Sequence, residues 1–139
     1  AIYESYGSSY AKAKADFEAI AKHFPNKKLI TIFEPHTFSW RNKNAKDWYQ
    51  DIFDSSEEVL ILPPPTHGIN SDQMTHDEIV REASKNHKKI YSIKTEKEAL
   101  EKLKKITKKD NIILLVTSGS LFGLTSSVPS LMEKMFPKK

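Results

Sequence analysis

Four side chains that could bind a ligand or transfer a proton follow one strand-like run of this sequence. The apolar residues 29–33 lead directly into Glu34, His36, Ser39 and Arg41. Arg41 offers a planar fork of donors that suits a carboxylate or phosphate, and histidine can transfer a proton near neutral pH. Open α/β sheets bind ligands at the carboxyl ends of their strands. The spacing therefore predicts a ligand site here; the alternative is a loop in which His36 packs and Arg41 pairs with Glu34.

Two further segments are candidates for binding an anion. Residues 6–9, Tyr-Gly-Ser-Ser, precede a helical pattern, and the first amides of a helix favour an anion. The alternative there is ordinary capping of the helix by Ser8 or Ser9. Residues 117–122, Thr-Ser-Gly-Ser-Leu-Phe, follow the last strong strand, where amides beside Gly119 can cradle a phosphate. A tight turn served locally by its own hydroxyls is the alternative for this segment.

The sequence contains no complete metal-binding or hydrolase motif. The segment 63–74 is long enough for a lid or recognition loop and contains His67, Asn70, Asp72 and Gln73. The histidines have neither HxxxH nor HxH spacing, so we expect no metal site. The sequence also lacks a GxSxG motif, which argues against a Ser-His-acid hydrolase of the α/β-hydrolase type.

Composition narrows the class of protein. The sequence has 139 residues, 38% of them hydrophobic, which suits one domain over residues 1–139. It contains no Cys, which fits a cytoplasmic protein, and no apolar run approaches the length of a membrane span. The net charge is +4, but acids and bases alternate along the chain instead of forming blocks. This mild basicity suits small anionic ligands, and we expect no nucleic-acid or membrane partner.

Strand and helix patterns alternate along the chain. Strand patterns cover residues 1–4, 28–34, 58–62, 89–93 and 111–116, the last being the most hydrophobic. A long helix follows Ser9 and stops before Pro25, and a shorter one is marked by Trp48, Ile52 and Phe53. Two capping boxes, at 75–78 and 95–98, and an apolar stripe at 128–136 predict three more helices. The alternation predicts an α/β, Rossmann-like three-layer sandwich with a mostly parallel sheet of five to six strands.

The segment Phe33-Glu-Pro-His-Thr-Phe-Ser-Trp-Arg41 resembles the C-terminal domain of Mur ligases. In muramate–alanine ligases this strand typically ends in Phe-Gln-Pro-His-Arg-Tyr-Ser-Arg, with which Phe33, Pro35, His36 and Ser39 agree. In the ligase that recycles murein tripeptide it ends in Phe-Glu-Pro with an arginine six residues past the proline, the spacing of Arg41. The order of elements matches over essentially the whole chain.

Two segments depart from the family pattern. Residues 4–10 read Glu-Ser-Tyr-Gly-Ser-Ser-Tyr, where the family usually has Asp-Asp-Tyr/Phe-Gly/Ala-His-His-Pro. Residues 118–120, Ser-Gly-Ser, replace the usual Met-Gly-Ala-Gly type of turn and resemble the folylpolyglutamate branch as much. The resemblance therefore indicates the superfamily more strongly than one subfamily.

The resemblance implies the substrate-binding and closure domain of an ATP-dependent amide ligase. Such a ligase joins an amino acid or peptide to UDP-N-acetylmuramate in peptidoglycan (cell-wall) precursor synthesis or murein recycling. The family keeps its ATP phosphate loop and Mg²⁺ ligands in a central domain, behind a UDP-substrate domain. We therefore expect this chain to be the third domain of such a cytoplasmic enzyme, with ATP and Mg²⁺ bound mainly outside it, and inactive when isolated.

The same resemblance implies roles for six residues, none of them catalytic. His36 and Arg41 would face the active-site cleft, and Ser118 and Ser120 would lie near the incoming substrate. Glu4 and Tyr6 would lie near the nucleotide at the interdomain hinge. The alternative from another class is a stand-alone α/β module that binds a phosphorylated metabolite without catalysis. A receiver-type signalling domain is disfavoured, because only Glu4 is available for the acidic cluster after the first strand.

Overall fold

The chain forms an α/β domain. The computed structural model describes residues 1–5, 9–65, 72–117, 119 and 121–137. Tyr6, Ser118 and Ser120, together with His67 and Asn70, lie outside the described residues.

Five strands form one sheet in which every neighbouring pair is parallel. They are β1 (Ile2–Ser5), β2 (Leu29–Phe33), β3 (Glu58–Ile61), β4 (Ile90–Ser92) and β5 (Ile112–Val116). Their order across the sheet is β1-β5-β2-β3-β4, so β5 inserts between the first two strands. All residues of β2, β3 and β5 are buried, as expected for parallel strands that are covered on both faces.

Six α-helices connect and cover the strands. They are α1 (Tyr10–His23), α2 (Phe38–Arg41), α3 (Lys46–Tyr49), α4 (His76–Ser84), α5 (Glu96–Ile106) and α6 (Leu124–Met135). A 3₁₀ turn at Lys43–Ala45 precedes α3, and a tight turn at Leu121–Gly123 precedes α6. None of the described helices is both long and apolar enough to cross a membrane.

Side chains on the two faces of the sheet pack into two separate hydrophobic cores. On one face α1, α4 and the segment 40–53 pack on the sheet; on the other face α5 and α6 do. Large buried side chains of the first core are Phe17, Phe33, Trp40, Tyr49 and Phe53, and those of the second are Ile30, Ile32, Leu60 and Leu62. Helices on both faces of a parallel sheet make the predicted three-layer α/β fold, which is confirmed.

Most predicted elements are also confirmed. The Ser9 side chain caps α1 by accepting from the Lys12 amide, and Thr75 and Glu78 form both bonds of a capping box. The prediction of a helix through Ile52 and Phe53 was wrong beyond Tyr49, because residues 50–55 continue as turns. The Ile52 amide still donates to the Trp48 carbonyl at 3.0 Å, but the helix does not continue, and both residues are held in the first core at 2% exposure. The short helix α2 was not predicted.

Candidate functional site

The chain leaves the neighbouring strands β2 and β5 toward opposite faces of the sheet. After β2 the chain turns toward the face of α1 and α4, whereas after β5 it turns toward the face of α5 and α6. A crevice opens where adjacent strands diverge in this way, and such crevices are the usual ligand sites of open α/β sheets. Glu34 to His36 lie on one side of this crevice, and Thr117 and Gly119 lie on the other.

Glu34 bridges the two sides. Its carboxylate Oε1 accepts hydrogen bonds from the Thr117 hydroxyl at 2.6 Å and from the Leu121 amide at 3.2 Å. Its own backbone N–H donates to the Val116 carbonyl of β5. The Glu34 residue is 7% exposed, and hydrogen bonds to a charged group inside a protein are stronger than neutral ones. Glu34 therefore ties the segment after β2 to the turn after β5.

His36 lies against this bridge. Its Nδ1 atom is 3.8 Å from the Glu34 Oε2 atom, and its side chain is 34% exposed. A Cβ atom added at Gly119 would come within 2.7 Å of the His36 ring atoms Cε1 and Nδ1. The imidazole therefore packs closely against the Gly119 backbone. About a third of the side chain stays exposed, and an imidazole nitrogen can donate or accept a hydrogen bond.

The turn after β5 has a strained backbone. Leu121, Phe122 and Gly123 have positive φ angles of 54°, 58° and 86°. Non-glycine residues rarely adopt this conformation, and it persists where surrounding contacts impose it. Here the Leu121 side chain is completely buried and its amide is held by Glu34. Phe122, in contrast, is 40% exposed, so the turn presents an aromatic ring to solvent immediately before α6.

A small polar pocket lies beside this turn. Its volume is about 230 Å³, and it is lined by Glu4, Ser5, Leu115, Thr117, Gly119 and Thr125. The lining comes from the ends of β1 and β5 and from the first turn of α6. Glu4, which was predicted near a nucleotide, therefore lies within reach of the β5 turn, separated from His36 by Gly119.

Arg41 occupies a different position from that of His36. It is only 4% exposed, and its Nη1 atom donates to the Pro65 carbonyl at 3.4 Å. The backbone around it also pairs with the far end of the 63–74 loop: Met74 N–H donates to the Arg41 carbonyl at 2.7 Å. Arg41 and its neighbours therefore hold both ends of that loop beside β2.

The structure brings together some of the predicted site residues. His36 lies at the crevice with Glu34, and Glu4 lies in the adjoining pocket. Tyr6, Ser118 and Ser120 lie outside the described residues, so their predicted roles stay predictions. Thr117 belongs to the segment predicted either to cradle an anion or to form a turn bonded by its own hydroxyls, and its hydroxyl does accept locally from the Gly119 amide at 2.9 Å. Its bridge to Glu34 was missed, since 83 positions separate the two residues.

Comparison with known proteins identifies the relatives of this chain. No family model matches the chain. UDP-N-acetylmuramate–L-alanine ligase from Desulfosudis oleivorans is 25% identical over 135 residues, which cover 96% of this chain and 29% of that protein. The chain resembles a Mur ligase C-terminal domain. This confirms the resemblance predicted from residues 33–41, and the chain spans less than a third of the length of the curated Mur ligases it matches.

Solved Mur ligase structures share the fold. Murein peptide ligase from Psychrobacter arcticus superposes with a TM-score of 0.77 at 10% identity, covering 94% of this chain and 27% of that one. UDP-N-acetylmuramate–alanine ligase from Thermotoga maritima has a TM-score of 0.64 at 18% identity, covering 99% and 27%. At these low sequence identities, the comparison shows a shared fold and no more.

Proposed function

We propose that this chain is the C-terminal substrate-binding and closure domain of an ATP-dependent amide ligase. The full enzyme joins an amino acid or a peptide to UDP-N-acetylmuramate, in cytoplasmic peptidoglycan precursor synthesis or in murein recycling. The similarity to UDP-N-acetylmuramate–L-alanine ligase over 96% of the chain supports this proposal. The Glu34 bridge supports it further, because it builds a rigid crevice at the place where this fold binds ligands.

The described residues fit a binding role better than a role in holding metal. No three His, Asp or Glu side chains gather as a metal site within the part of the chain that the structure describes. We accordingly assign ATP and Mg²⁺ mainly to other domains of the parent enzyme and route no step through residues of this one. ATP supplies the phosphoryl group that activates the carboxylate as an acyl phosphate.

In the proposed reaction this domain holds the incoming amine. The exposed side of the His36 imidazole hydrogen-bonds the amino acid or peptide in the crevice, while Glu34 and Gly119 fix the ring. Arg41 keeps the 63–74 loop in place beside this crevice. Glu4, with Tyr6, faces the nucleotide, and Ser118 and Ser120 face the incoming substrate. Closure of the domain excludes water from the acyl phosphate, which water would otherwise hydrolyse.

The experiment that tests this proposal uses the natural protein that carries this sequence. Phosphate release from ATP is measured with UDP-N-acetylmuramate and either L-alanine or the murein tripeptide, and the same assay is run on the 139-residue chain. Release that requires both substrates in the whole protein, and none with the chain alone, is the expected result. A whole protein that releases no phosphate with either amine would overturn the proposal.

A further inference from the structure

Lysine side chains from distant parts of the sequence meet at one end of the domain, which we call the lysine face. This face consists of the last three residues of α1, α4, α5 and α6 and of the segments 24–28, 54–58, 85–89 and 107–111, which lead into strands. It lies at the amino ends of the strands, opposite the candidate site. Because every strand is parallel, all these segments gather at the same end.

The lysine face carries the excess positive charge of the chain. It holds eleven lysines, all exposed except half-buried Lys28, against six carboxylates. The rest of the sequence holds eleven cationic and twelve acidic side chains, given totals of 22 and 18. Ion pairs link Lys28, Lys85 and Lys89 to acids, and none is found for the other eight among the described residues.

Helix electrostatics explains only part of this pattern. Cations in the last turn of a helix are stabilised by its dipole, which accounts for Lys22, Lys104, Lys105 and Lys134. The lysines at 27–28, 88–89 and 108–109 lie in connections, where no dipole requires them. A cluster of this kind attracts an extended anionic surface through charge summed over many side chains.

An apolar groove opens at the same end. Its volume is about 410 Å³, and its lining includes Ile2, Pro129, Met132 and Phe136 beside Lys108 and Lys109. A nucleic-acid backbone has phosphates but no aliphatic part to fill such a groove. A phospholipid has both an anionic headgroup and acyl chains, and lysine suits it as a point charge.

We propose that the lysine face docks this domain on an anionic phospholipid bilayer. Lys88, Lys108 and Lys109 contact the headgroups, and the groove beside Phe136 accepts aliphatic parts of the lipid. Docking in this orientation leaves the crevice at Glu34 and His36 directed away from the bilayer. The proposal differs from our sequence-based expectation of no membrane partner and does not depend on the proposed ligase function.

The test measures binding of the 139-residue chain to sedimented vesicles. One set of vesicles contains phosphatidylcholine with about one-third phosphatidylglycerol, and the other contains phosphatidylcholine alone. Binding to each set is measured at about 0.1 M and at about 0.5 M salt. We expect binding only to the anionic vesicles, and most of it lost at high salt. The triple variant Lys88→Gln, Lys108→Gln, Lys109→Gln should bind at least about tenfold more weakly, since each lysine near such a surface contributes about fivefold.

A matched variant controls for net charge. Lys12→Gln, Lys94→Gln, Lys97→Gln removes three exposed lysines from the opposite end of the domain and should weaken binding less than about threefold. Circular dichroism verifies that both variants fold. Three results would each overturn the proposal. They are equal losses of binding in the two variants, no binding to anionic vesicles, and tighter binding to a uridine oligonucleotide than to vesicles.

Discussion

The hydroxyl of Thr117, which follows β5, donates a 2.6 Å hydrogen bond to the carboxylate of Glu34, which follows β2. Both residues are at most 8% exposed, and the same carboxylate oxygen accepts from the amide of fully buried Leu121. The contact therefore couples the two sides of the candidate crevice and holds the strained turn before α6.

Replacing Glu34 with Ala should lower the free energy of unfolding by about 2 to 4 kcal/mol, because a buried hydroxyl and a buried amide lose their acceptor. Glu34→Gln retains a carbonyl oxygen and should lose less than half as much. Urea unfolding followed by circular dichroism measures both. Glu57→Ala, at an exposed carboxylate paired with exposed Lys89, serves as the control with an expected loss under about 0.5 kcal/mol. A loss at Glu34 no larger than at Glu57 would refute the bridge.

Local sequence patterns predicted the architecture because local physics determines most of its elements. The apolar runs at 29–33 and 112–116 are buried strands, and Ser9 and Thr75 cap their helices through their own side chains. The shorter helix failed at Ile52 and Phe53, since contacts with the rest of the first core override helical spacing there.

Contacts between distant segments could not be predicted from those patterns. The residues 33–41 indicated a site, but not that Glu34 is bound to Thr117 or that Arg41 is buried and bonded to the Pro65 carbonyl. The alternation of charge along the chain likewise concealed the lysine face. Its members are dispersed in the sequence, and only the parallel order of the strands brings them to one end.

Gly119→Ala should displace His36, because the added Cβ would lie 2.7 Å from two ring atoms. Gly119 has no positive φ, so the clash alone should cost about 1 to 2 kcal/mol of unfolding free energy. In a His36→Ala background the ring is absent, and Gly119→Ala should cost less than about 0.5 kcal/mol. Urea unfolding of the four proteins gives this difference. Equal costs in both backgrounds would show that the ring does not depend on the glycine.

Arg41→Ala should impair both folding and the proposed ligase. Loss of the guanidinium leaves a void at a 4% exposed position and removes a donor from the Pro65 carbonyl, at a cost of about 2 kcal/mol. Arg41→Lys keeps the charge and should recover part of the stability but little of the turnover in the whole enzyme, since lysine lacks the planar fork. Exposed Arg81→Ala is the control. Unchanged kcat/KM in Arg41→Lys would show that turnover does not depend on the guanidinium that holds Pro65.

Acid should weaken the domain through Glu58 at the start of β3. Burial acts to raise the pKa of Glu58, but hydrogen bonds from Lys28 and Tyr91 and the charge of Lys28 outweigh it and lower the pKa below the ordinary value of 4.5. A carboxyl whose pKa is lower in the folded state stabilises that state fully above the unfolded value and loses its effect as the pH falls through the folded value. The difference in unfolding free energy between the parent chain and Glu58→Gln should thus be constant near neutral pH and shrink below about pH 4.5. Urea unfolding across the acidic range measures it, with Glu101→Gln, at an exposed position of α5, as the control. A difference that does not change with pH would show that the Glu58 charge does not stabilise the fold.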